Sequence, residues 1–122
     1  MENKFYLYET KKSSTLIASG VYKGYHTNSP TNNTMVVLKG SHMIKGNHLY
    51  KTQCISKRKQ VESESVSDEG NYYLITEDIS FSSPSLAAAV LLGRECNGKK
   101  MWVNQDRIEL KKLVPSARKL SK

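Results

Sequence analysis

No apolar run in this sequence is longer than the seven residues Leu86–Leu92, whereas a helix needs roughly 18–20 to cross a bilayer. A membrane span is therefore not expected. The opening MENKFYLYET has no basic stretch leading into an apolar one, so it does not read as a secretory leader, and the expected location is cytoplasmic. Cysteine is scarce. Cys54 and Cys96 have no close cysteine neighbour, and inside a cell two such thiols are expected to stay reduced as small buried or half-buried side chains. His42 and His48 lie six apart, with Cys54 six further on, which is not the close pairing of a structural zinc site. Phosphate-loop and dinucleotide glycine patterns are missing too. Neither a metal nor a cofactor is expected.

The same gaps bear on catalysis. A nucleophile needs a histidine within hydrogen-bond reach and an acid to orient it, and no grouping in the sequence points to that arrangement. Glu62, Glu64, Asp68, Glu69, Glu77 and Asp78 could supply a nuclease's magnesium ligands. They fall, however, where a turn and strand ends are expected, with no lysine or histidine partners nearby. No catalytic residue is expected, and the chain reads as a binding module and not as an enzyme.

What is present is positive charge, unevenly spread. The net charge is +8. Residues 1–60 hold ten Lys/Arg against two acids, residues 61–90 hold six acids and no Lys/Arg, and residues 91–122 hold nine Lys/Arg against three acids. Two basic ends thus flank an acidic middle. Basic surface attracts phosphate backbones through counterion release; solubility alone is the plainer reading. A chain of 122 residues fits one domain and can bury a core of its own.

The fold expected is α+β: a small, mostly antiparallel sheet with one well-defined helix and a second, weaker one. Alternation in Lys4–Glu9 puts Phe5 and Leu7 on one strand face and Tyr6 and Tyr8 on the other. Residues 15–21 read as its antiparallel partner, 24–33 as a long polar loop, and Met35–Leu38 as a central strand. Residues 53–62 are compatible with a helix, with Cys54, Ile55, Arg58 and Val61 near one face, and 63–66 with a strand. Asp68–Asn71 is a turn and Tyr72–Thr76 a strand. The alanine-rich helix 84–92 has Ser83 as its cap, Pro84 at its first position and Gly93 as its stop. Asn97-Gly98 reads as a type I′ turn, and Lys100–Asn104 with Arg107–Leu110 as a closing hairpin. One domain is expected over 1–110, followed by a basic, flexible tail over 111–122.

Within Phe81–Trp102, FSSPSLAAAVLLGRECNGKKMW, Phe81, Ser82, Ser83, Pro84, Ser85, Ala87, Ala88, Gly93, Asn97, Gly98 and Trp102 form an ordered pattern. It resembles a bacterial domain of unknown function that often lies C-terminal to GIY-YIG nuclease-like domains. That domain also occurs in restriction-modification and mobile-element settings. Val36–Ser41 resembles the family's V-L-K-G-S segment, and Asp78 its preceding acid. The chain departs from the pattern at Gln105-Asp106-Arg107, where a glycine is usual, and in the loop at 24–33. The resemblance implies a DNA-processing context and carries over no catalytic residue.

The candidate nucleic-acid-binding residues are Lys39, Ser41, Ser83, Ser85, Arg94, Asn97, Lys99, Lys100 and Trp102. Backbone N–H groups at the start of helix 84–92, with the Ser83 and Ser85 hydroxyls, could hold a phosphate oxygen. Trp102 reads either as a base-stacking ring or as core. The leading expectation is an accessory domain that binds nucleic acid, DNA ahead of RNA. A protein-interaction adaptor and an uncharacterised hydrolase or nuclease are the alternatives, and the oligomeric state is open.

Overall fold

The computed structural model describes residues 3–24 and 33–113. Most of the expected loop at 24–33, including Tyr25 and His26, lies outside them, as do residues 114–122 of the tail expected over 111–122, whose first three residues are instead helical. Eight strands and four helices occur among the described residues. In chain order they are β1 (Lys4–Tyr8), β2 (Leu16–Tyr22), β3 (Met35–Val37), β4 (His42–Ile44), α1 (Thr52–Glu64), β5 (Val66–Asp68), β6 (Tyr72–Ile75), β7 (Ile79–Phe81), α2 (Pro84–Leu92), α3 (Gly98–Met101), β8 (Trp102–Val103) and α4 (Leu110–Leu113). Two sheets form, a five-stranded one in the order β7-β3-β2-β1-β8 and a three-stranded one in the order β4-β6-β5. Every strand pair is antiparallel. The fold is α+β.

Alternation along β1 sends Phe5 and Leu7 into the core and leaves Tyr6 and Tyr8 half-buried on the other face. The inward face of the large sheet also carries Ala18, Tyr22, Met35, Val37, Phe81 and Trp102, and α2 covers it. Eight of the nine residues of α2 are buried. Its alanines allow this, because with no bulk beyond Cβ the helix backbone can lie close to the strands and to α1. Ser83 caps the helix by accepting a hydrogen bond from Leu86 N–H at 3.1 Å. Gly93 ends it at φ 72°, the left-handed conformation that suits glycine.

α1 is the reverse case. Only Cys54, Arg58 and Val61 are buried, and the residue at its N-cap, Lys51, makes no side-chain cap. The helix is held from outside. Arg58, fully buried, donates from Nη1 to Val90 O (2.9 Å), from Nη2 to Ile44 O (2.7 Å) and Lys45 O (3.2 Å), and from Nε to Glu62 Oε2 (2.8 Å). It thereby satisfies a carbonyl in the last turn of α2 and ties α1 to the strand β4.

Three expectations need correction. Asn97-Gly98 is not a type I′ turn: Asn97 caps α3, its Oδ1 accepting from Lys99 N–H at 3.1 Å. Asn-Gly serves either purpose, and here contact with α2 decides. The expected strand Lys100–Asn104 therefore shrinks to Trp102–Val103, and of the closing hairpin there remains a bridge between Val103 and Glu109 before α4 begins. The strand expected at 63–66 starts only at Val66, because α1 runs on to Glu64.

Candidate nucleic-acid interface

The most distinctive motif is a joint of the fold. Ser85 Oγ accepts a hydrogen bond from Gly98 N–H at 2.9 Å, and Trp102 Nε1–H donates to Pro84 O at 3.0 Å. A Cβ on Gly98 would lie 2.3 Å from Pro84 C and Ser85 N, so only glycine lets the start of α3 sit against the first turn of α2. Ser83 is occupied as the cap, and Ala87 N–H donates to Ser83 O. The phosphate site expected at this helix start is thus filled by the chain's own groups. Trp102 is 0% exposed and offers no face on which a base could stack; it is core.

The second motif is also a joint. Ser41, 5% exposed, accepts from Ser19 N–H at 3.1 Å and donates to Ser19 O at 3.3 Å. Lys39 N–H donates to Asp78 Oδ1 at 2.8 Å, and Gly40 N–H to Ile75 O at 2.9 Å. These bonds stitch the two sheets together where the chain passes from β3 to β4. The Lys39 ammonium stays exposed beside an open groove of about 340 Å³ lined by Leu16–Ser19 and His42.

The cations fare differently from the hydroxyls. Arg94, just past the end of α2, donates to Glu9 O at 3.2 Å. Arg107 donates to Lys11 O (3.1 Å) and Ser13 O (2.8 Å), and its guanidinium carbon lies 3.7 Å from the centre of the Tyr8 ring. Lys11 pairs with Glu109 at 2.9 Å. That hydrogen bond holds the Glu109 carboxyl below the usual carboxylate range, helped by the positive charge of Lys112 and Lys100. Residues from the two basic ends therefore meet at the turn between β1 and β2. Lys100 belongs to this group, Lys39 sits at the joint between the sheets, and Lys99 is half-buried in α3.

The site as read from sequence missed Lys11 and Arg107. Arg107 had a local signal: Asn104 Oδ1 accepts from both Asp106 and Ile108 N–H at 2.9 Å, an Asn-led turn of a familiar kind. Lys11 had none, since its partner is distant in sequence. The acids of the middle segment are engaged elsewhere, Glu62 with Arg58 and Asp68 with Lys45.

Among the described residues no three His, Cys, Asp or Glu side chains gather where they could hold a metal ion, and no helix is long and apolar enough to cross a membrane. No curated protein and no solved structure matches the chain. A family model described as DUF4357, a domain of unknown function, matches residues 11–114, a stretch that takes in both joints and the basic turn, and the chain belongs to that family.

Proposed function

We propose that this chain is a non-enzymatic accessory domain that binds nucleic acid, DNA ahead of RNA. It uses the basic surface that both ends of the chain assemble around the β1–β2 turn. One observation carries the reading: Arg94, Arg107 and Glu109 reach back across the sequence to Glu9–Ser13. This brings Lys11, Lys12, Lys100 and Lys112 into one neighbourhood, where counterion release rewards contact with phosphates. Glu9, Asp106 and Glu109 stand there as well, and Glu109 is already paired with Lys11. The context is DNA restriction, modification or mobile elements, which rests on the resemblance of the Phe81–Trp102 pattern.

The test is titration of labelled duplex and single-stranded DNA with the full chain at about 50 and 200 mM salt. Affinity is expected to drop by an order of magnitude or more between the two. No binding at the lower salt, or binding indifferent to salt, contradicts the reading.

A further inference from the structure

We infer that the outward face of the five-stranded sheet is a stacking platform for single-stranded nucleic acid. This rests on the function proposed above and specifies the form of polynucleotide taken. Strand register maps the face. Tyr6 stands between Val103 on β8 and Ser19 on β2, and Tyr8 stands beside Leu16. Lys4, Val21, Val36 and Ser80 form a row across four strands. Among the described residues no helix packs on this side: α2 takes the inward face, α1 and α3 pack on α2, and α4 on α3.

A solvated sheet face is ordinarily polar. This one has two tyrosines on one strand, valines around them, and Leu16 at 47% exposure; the carboxylate beside it, Glu109 bridged to Val103, is paired with Lys11. Both rings have a cation nearby. Lys4 Nζ lies 5.7 Å from the Tyr6 ring centre, and the guanidinium of exposed Arg107 sits over Tyr8. Arg107 keeps this place at φ 66°, a backbone conformation uncommon for a residue with a side chain. Tyr6 and Tyr8, two residues apart on a strand, are separated by about 6.7 Å. That is twice the roughly 3.4 Å base rise within a duplex strand, a spacing that suits splayed bases of a single strand. The bases of a duplex have their faces occupied by one another. The lysines of the β1–β2 turn lie next to Tyr8, where the phosphates of a bound strand would run.

The test uses the full chain with labelled (dT)12 and a 12-base-pair duplex at one salt concentration. Expected are tighter binding of (dT)12 and a loss on the order of 10-fold for Tyr6→Ala, with duplex binding unchanged and Tyr6→Phe retaining the affinity for (dT)12. Should the alanine variant unfold by circular dichroism, the uncharged Leu16→Ser, at an exposed position, is read in the same way. A duplex bound as tightly as (dT)12, or variants that weaken both ligands equally, overturns the platform and leaves the electrostatic reading standing. Binding to neither probe overturns the function on which it rests.

Discussion

Arg58 and Gly98 show how single residues decide this fold. Four N–H groups of Arg58 are spent on three backbone carbonyls and one carboxylate, so truncation strands those carbonyls in the interior. Arg58→Ala is expected to cost about 3–5 kcal/mol in urea unfolding. Gly98→Ala puts a methyl within 2.4 Å of Pro84 O, where backbone has to shift, and about 1–3 kcal/mol is expected to be lost. Neither effect could be read from sequence. Arg58 appeared near the right face of a helix, but its acceptors Ile44 and Val90 lie 14 and 32 residues away. The Phe81–Trp102 pattern was legible as a pattern; its meaning was not. Serines at a helix start read equally as a cap, a phosphate cradle or a clasp for another backbone, and only the approach of Gly98 separates these.

At the scale of elements, what could be read followed period and local chemistry. β1, β2 and α2 came from alternation, cap and stop residues. β4 has three residues, too few to show a period, and α3 exists because Gly98 fits under Pro84. α1 depends on a neighbour for its cap: Glu95 Oε2 accepts from Tyr50 N–H (3.2 Å) and Lys51 N–H (3.1 Å), and Oε1 accepts from the Cys54 thiol (3.3 Å). Burial pushes the Glu95 carboxyl upward, but these hydrogen bonds outweigh it and hold it below its ordinary value. The fold thus favours the charged form, and its contribution is complete above the ordinary carboxylate range and fades as pH falls through the depressed value. The urea midpoint is expected to drop between about pH 5 and 3. Glu95→Gln should make that drop shallower while costing about 1 kcal/mol at pH 7; an unchanged acid limb would contradict the cap. Burial, with the hydrogen bond to Glu95 and its charge, pushes the Cys54 thiol up to about 11. Native protein at pH 7 should accordingly show Cys54 far slower to alkylate with iodoacetamide than unfolded chain does, as read by mass spectrometry.

Across the whole molecule, the segregation of charge along the sequence is kept only in part. Acids of the middle pair with cations of the first basic segment, Glu62 with Arg58 and Asp68 with Lys45, while Lys11, Arg94 and Arg107, from the two basic ends, come together at the β1–β2 turn. Counting charges showed that both ends were basic; it could not show where they would meet, because that depends on Arg94 and Arg107 finding backbone carbonyls in the first hairpin. Place, and not net charge, is therefore what the proposed binding depends on. The most direct measurement compares two pairs of neutralised lysines that change the total charge equally, Lys12→Gln/Lys100→Gln at the turn and Lys57→Gln/Lys59→Gln on α1, where Lys57 lies over Phe81 of β7. For each, the slope of log affinity for duplex DNA against log salt concentration is determined. A slope shallower by about 1–2 is predicted for the first pair, roughly 0.9 for each phosphate that is no longer neutralised, with little change for the second. Equal slopes for the two pairs would contradict a binding surface at the β1–β2 turn.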